Sequence, residues 1–159
     1  MALDLGLKHK GLITDSAITV GVGKLSKKDE RLIAGTKEAL YAGIKAARGG
    51  KRVGDIGYAI QKVANKLKLN IAEDLAGHGV GYKVHEDPYV PNTGFKGKGE
   101  KLVPGMVIAI EPMLVLGSGG ILPVGDGYTF KTRDGEKSAH FEHTIAITDE
   151  GPIILTEGL

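Results

Sequence analysis

Four acidic side chains stand in this 159-residue sequence where acids are uncommon. Asp4 interrupts the leucines of MALDLGLK, and Asp15 follows in GLITDSAITVGVG. Glu111 lies inside VIAIEPMLVL, the most apolar run of the chain, and Glu142 inside SAHFEHTIAIT. A buried carboxylate without a partner is costly, so each of these needs a cation or a metal. Four carboxylates converging alone would repel one another. Two divalent ions would neutralise them, and an imidazole would complete the shell. That is the chemistry of a two-metal hydrolase, with ions about 3.5–4 Å apart, a bridging water and a polarised carbonyl. Oxygen-rich ligands with one histidine suit Mn, Fe, Co or Zn. The imidazole is sought in GHGVGYKVHEDPYVPN, residues 77–92, where His78 and His85 stand seven apart with Glu86 and Asp87 behind them. Residue types alone leave a plainer reading open: an Asp in a hairpin also serves as an edge residue, and a histidine between glycines can bond to backbone.

Other chemistries find less support. HExxH would require a histidine at position 89, which is Tyr89. The HFE of residues 140–142 resembles the start of a zinc deaminase signature, but that site needs cysteines and the chain has none. GxxxxGK[ST] is absent, and GHGVG lacks the spacing of a dinucleotide fingerprint. No serine lies in a nucleophile elbow.

The elements that must position the acids can be read from periodicity. Leu3, Leu5 and Leu7 alternate with Asp4 and Gly6, which predicts a strand. KHKG is the turn of a hairpin whose return strand carries Asp15, so the two carboxylates share one face. Ser26 starts a helix, with Asp29 and Glu30 in its first turn and Gly49-Gly50 as its stop. A second helix is predicted from Asp55 to Lys68. IAEDLAG reads as a short strand leading into a glycine-rich loop, and GFKGKGEKLVPG as a polar connector. VIAIEPMLVL reads as one strand buried on both faces, followed by strands at ILPV, YTFKT, SAHFEHTIAIT and PIILT. A hairpin, two helices and a run of strands predict an α+β fold, with helices packed on one face of a mostly antiparallel sheet.

The length suits one domain spanning residues 1–159. A net charge of +2 and scattered lysines give no footprint for nucleic acid. No apolar run reaches membrane-spanning length, and the N-terminus lacks a signal-peptide layout, so a cytoplasmic, soluble protein is expected.

The motifs DLGLKHKGLITDSA, GHGVGYKVHEDPYVPN, GMVIAIEPML and SAHFEHTIAIT, in this order and spacing, resemble the type I methionine aminopeptidases, metallopeptidases of the M24 family with the pita-bread fold. The resemblance covers essentially the whole chain. It implies that Asp4, Asp15, His78, Glu111 and Glu142 are metal ligands, with Asp15 and Glu142 bridging two divalent ions, Asp4 on one, and His78 and Glu111 on the other. It implies that His85 contacts the scissile peptide and stabilises the tetrahedral oxyanion, and that Glu111 also accepts the proton of the attacking water. Val84 and Tyr128 fall where the family lines part of its methionine pocket. The substrates implied are peptides beginning with methionine, and the ions Co, Mn, Fe or Zn.

Xaa-Pro aminopeptidases and prolidases share the five ligands, but EPML and FEHTIAIT look like the methionine enzymes. HEDP, and the short stretch between Glu111 and Glu142, look like type I. Two departures stand out. The half of the pita-bread that precedes the first Asp in the family is missing from this sequence, and MALDLGLK starts in mid-strand, so the sequence reads as a truncated, C-terminal half of the fold with the metal-binding hairpin. His140 stands where the type I enzymes commonly have glutamine, two residues before Glu142, and is expected in the shell around the ligands. An exposed edge and apolar face would favour a homo-oligomer. The alternative function is accordingly a self-associating, metal-binding half-domain with little or no peptidase activity; a prolidase-like peptidase is third.

Overall fold

A computed structural model describes residues 1–127 and 129–158. The chain opens with a hairpin of β1 (Ala2–His9) and β2 (Leu12–Thr19), paired antiparallel from Ala2↔Thr19 to His9↔Leu12. Its two-residue turn has Lys10 at φ 49° and Gly11 at φ 87°, the left-handed pair whose twist matches that of the flanking strands. Helix α1 (Lys27–Ala46) starts where Ser26 Oγ accepts the Asp29 N–H and Asp29 returns a bond to the Ser26 N–H, a capping box. Helix α2 spans Val53–Lys66, beginning and ending two residues earlier than periodicity predicts. The shift has a local cause: Asp55 is not the first helical residue but the one whose carboxylate accepts the Arg52 N–H at 2.9 Å, closing the first turn.

The remaining elements are β3 (Asn70–Ile71), β4 (Ala76–Gly79), β5 (Glu86–Pro91), β6 (Val107–Ile110), β7 (Met113–Val115), β8 (Ile121–Pro123), β9 (Phe130–Thr132), β10 (Ser138–His140), β11 (Glu142–Ile147) and β12 (Pro152–Ile154). The main sheet runs β1-β2-β11-β6-β4-β5, with β12 also on β11, and every pairing is antiparallel. A second sheet has the order β10-β7-β3, and β8 pairs with β9 as a separate ribbon. The core joins Leu40 and Ile44 of α1 and Ile56 and Ile60 of α2 to Ile108, Ile110, Ile145 and Ile147 of the main sheet. The fold is α+β, as expected. Among the described residues, no helix is long and apolar enough to cross a membrane.

Three runs that read as single strands are not. VIAIEPMLVL divides into β6 and β7, which lie in different sheets, because Pro112 has no N–H for a ladder and restricts Glu111 before it. SAHFEHTIAIT divides at Phe141 into β10 and β11, and the Phe141 N–H meets the Pro112 carbonyl at 3.4 Å. Both segments therefore cross from one sheet to the other at the same level. IAEDLAG divides as well, with Asp74 at φ 61° between β3 and β4. The glycine-rich stretch after it is no open loop: β4 is an interior strand of the main sheet, between β5 and β6.

Candidate metal centre

The sheet register determines which side chains can meet. In β1 and β2, Asp4 pairs with Ala17 and Gly6 with Asp15, so Asp4 and Asp15 are diagonal neighbours on one face. Ala17 also pairs with Glu142 of β11, which puts Glu142 on that face. His143 pairs with Ile110, so Glu111 emerges opposite Glu142 just as β6 ends. His78 of β4 pairs with Ala109, two residues before Glu111 and on the same face. Five chain segments thus present five potential ligands to one side of a single sheet.

The side chains converge. One ligand atom each from Asp15, His78 and Glu142 lie within 4.8 Å of one another, and all three residues are buried, at 9%, 9% and 2% exposure. His78 Nε2 is 3.4 Å from Glu111 Oε1. His78 Nδ1 is 2.9 Å from the Gly79 carbonyl, so Nδ1 carries the proton and Nε2 offers its lone pair to the cluster. Asp4 lies at the open edge, its side chain 58% exposed.

Electrostatics shows what the cluster lacks. Burial, then the charges of Glu111, Asp15 and Asp4, push the Glu142 carboxyl up to about 10. Asp15 is also raised, by burial and then by Asp4, although His78 and the Ser16 N–H pull the other way. Carboxyls raised above their usual range by burial and by one another are acids without sufficient positive charge nearby. Oxygen and imidazole donors at these separations fit a divalent cation, and no sulfur is needed.

The other expected residues fall around this centre. The His85 ring lies edge-on to His78, centroids 4.4 Å apart at 81°, and is exposed beside the site. Val84 is partly exposed next to it. Tyr128 lies outside the described residues. Glu86 turns away and accepts the Lys83 N–H at 2.6 Å. His140, expected in the surrounding shell, touches the cluster directly: its Nε2 is 3.3 Å from Glu111 Oε2 and its Nδ1 3.9 Å from Asp4 Oδ2.

Two residues that sequence reasoning passed over hold the site in shape. The Thr144 hydroxyl accepts the Asp15 N–H at 2.8 Å and donates to the Asp15 carbonyl at 2.7 Å, replacing a rung of the ladder. Its signal in the sequence was a polar residue two positions after Glu142 in a buried strand. Asn92 Nδ2 donates to the carbonyls of Leu75 and Glu111, joining the start of β4 to the end of β6. The Thr144→Val variant should lose about 1–3 kcal/mol, because the buried Asp15 N–H is left unpaired. A fall in urea midpoint checks this, and an unchanged midpoint would show that the clamp is dispensable.

Comparison with known proteins agrees with this geometry. Metallopeptidase family M24 matches residues 1–149. The methionine aminopeptidase of Aquifex aeolicus (strain VF5) is 50% identical over 159 residues, 99% of this chain and 62% of that protein. Methionine aminopeptidase 1 of Bacillus subtilis (strain 168) is 45% identical over 98% of this chain and 63% of its own length. A crystal structure of methionine aminopeptidase from Thermotoga maritima superposes with a TM-score of 0.94 at 42% identity, covering 98% of this chain and 62% of that one. The prolidase of Pyrococcus furiosus, at 22% identity and a TM-score of 0.77, shares the fold. The chain spans about 62% of the length of these methionine aminopeptidase relatives. A family match that runs through all four motifs, with a superposition this close, establishes that the chain belongs to the M24 metallopeptidases and has their pita-bread architecture.

Proposed function

We propose that this chain carries the catalytic centre of a metal-dependent aminopeptidase that removes methionine from the N-terminus of peptides. The observation that supports this most is the convergence of Asp15, His78 and Glu142 within 4.8 Å, with Glu111 and Asp4 on the same face. In this reading Asp4, Asp15, His78, Glu111 and Glu142 hold two divalent ions, drawn from Co, Mn, Fe or Zn. When bound, such ions supply Lewis acidity, polarising the scissile carbonyl and making water a nucleophile near neutral pH. The chain's own groups do the rest. Glu111 takes the proton of the attacking water at its carboxylate. His85, edge-on to His78, donates to the scissile peptide and its developing oxyanion. Val84 and Tyr128 contribute to the pocket for the methionine side chain. Newly made peptides that begin with methionine place this work in the cytoplasm.

The test is direct. Protein reconstituted with Co or Mn should release methionine from a Met-Ala-Ser peptide, followed by mass spectrometry, and Glu111→Ala and His78→Ala should each lower the rate by at least about a hundredfold. Turnover that survives both substitutions would refute the assignment.

A second reading is favoured by β1. Among the described residues its outer edge is unpaired, and Leu3, Leu5, Leu7 and Leu12 are exposed, Leu5 at 67%. A half-domain of this kind would bind metal and self-associate, with little turnover. A second copy could add to β1 antiparallel about Gly6, setting Asp4 opposite Lys8 of the other copy and Leu5 opposite its Leu7. Sedimentation should then show a dimer that Leu5→Lys dissociates. A monodisperse monomer would remove this reading, and metal binding without methionine release would favour it over the first.

A further inference from the structure

His140 ends β10, immediately before the crossing at Phe141 that carries the chain into β11. Its ring lies between the open and closed sides of the cluster, with Nδ1 toward Asp4 Oδ2 at 3.9 Å and Nε2 toward Glu111 Oε2 at 3.3 Å. Nε2 is inaccessible to solvent and has no hydrogen-bond partner, although a carboxylate oxygen is near. A buried ring nitrogen is rarely left this way.

The separation itself suggests the reason. Two donors about 2.1 Å from a common ion, at angles between square and tetrahedral, stand roughly 3.0–3.4 Å apart. His140 Nε2 and Glu111 Oε2 meet that spacing at 3.3 Å, and His78 Nε2 and Glu111 Oε1 meet it at 3.4 Å. Glu111 is thus bracketed by two imidazoles, one at each oxygen. Asp4, the carboxylate nearest the other His140 nitrogen, is the exposed member of the set and the least constrained by packing. A donor fixed in the sheet beside it would strengthen the side of the centre that is weakest.

We propose that His140 is an additional metal ligand, binding through Nε2 and sharing an ion with Glu111. This inference rests on the metal-centre part of the reading above and is independent of peptidase turnover. With a second nitrogen donor, the centre should favour Co and Zn over Mn more than five oxygen-rich ligands alone would. With the ring proton on Nδ1, the nitrogen that faces Asp4, the Nε2 lone pair would be free for this bond.

The experiment combines calorimetry and paramagnetic NMR on the full chain, with Co(II) and Mn(II) as the probes. In wild-type protein labelled in the histidine rings, one more strongly hyperfine-shifted imidazole set is expected than in His140→Phe, which keeps ring volume without a donor. Co(II) affinity at one site should fall more than about a hundredfold in His140→Phe, beyond the roughly 10–100-fold cost of losing a group that only supports a ligand. His140→Gln should lose the same shifted set and part of the preference for Co over Mn. If His140 merely donated a hydrogen bond to Glu111, glutamine would restore both affinity and preference, and that result overturns the proposal. An equal number of shifted imidazoles in wild type and His140→Phe overturns it too. No Co(II) or Mn(II) binding by the wild type would overturn the metal centre as a whole, a failure distinct from ordinary binding that leaves His140 uninvolved.

Discussion

Metal-free protein should lose thermal stability steadily as the pH rises from 5 to 8, and a divalent ion should abolish that loss. Glu142 is held up to about 10 by burial and by Glu111, Asp15 and Asp4, and Asp15 is raised in the same sense. In the unfolded chain both carboxyls ionise in the ordinary range near 4. The folded state therefore retains protons that the unfolded state has released. For an acid raised in this way, stability is fully present below the unfolded value and is lost as pH climbs toward the folded one. One such proton corresponds to about 1.4 kcal/mol per pH unit, hence about 4 kcal/mol between pH 5 and 8. In a domain of this size that is a drop of roughly 10 °C in melting temperature. A bound cation takes the place of the protons, so its stabilising effect should grow with pH. Scanning calorimetry of chelator-treated protein, with and without Mn(II), measures both. Glu142→Gln should flatten the metal-free profile and remove the rescue. A melting temperature independent of pH in the chelated wild type would show that Glu142 is solvated or paired in a way this geometry excludes.

The candidate ligands were legible in the sequence because they violate its pattern. Asp4 among leucines, and Glu111 and Glu142 among aliphatic residues, are acids in places where burial must be compensated. The hairpin was legible for a different reason: a strict alternation fixes the face, so Asp4 and Asp15 had to lie together once the turn was placed at Lys10-Gly11. The sheet crossings were not legible. Nothing in the hydropathy of VIAIEPMLVL marks the point where its two halves part, and only Pro112 gives a signal, read too weakly against a run of ten largely apolar residues. The crossing at Phe141 also explains why His140 was legible only as a neighbour of the ligand positions: strand alternation gives its face, but the approach to Glu111 depends on how two sheets meet. Thr144 and Asn92 were missed because their partners are backbone groups, which leave no trace in side-chain spacing. The stretch GHGVG concealed its strand for a related reason. Glycines carry no side chains by which an alternation could be seen, so a buried central strand reads as a loop.

Those same glycines should be the least tolerant positions near the site. A Cβ on Gly77 would lie 2.2 Å from the Ala109 carbonyl oxygen, and one on Gly79 would lie 2.0 Å from the Asp87 carbonyl oxygen. Both obstacles are backbone in paired strands, Ala109 in β6 and Asp87 in β5, so neither can turn aside as a flexible side chain would. The two glycines flank His78 and let β4 pack closely between its neighbours, which is what sets the imidazole 3.4 Å from Glu111. Gly77→Ala and Gly79→Ala should each cost about 3 kcal/mol or more, the upper part of the range for overpacking, because relief requires strands to separate. Displacing β4 also withdraws His78, so metal affinity should fall along with stability, at least tenfold in any variant that still folds. Gly81→Ala supplies the control: its Cβ would meet nothing closer than the Glu86 carboxylate at 3.5 Å, an ordinary contact with a movable group. Urea unfolding and Co(II) calorimetry on the three variants should therefore separate Gly77 and Gly79 from Gly81. Equal tolerance at all three would mean that β4 is not wedged between β5 and β6, and that the position of His78 depends on something other than the close packing of backbone around it.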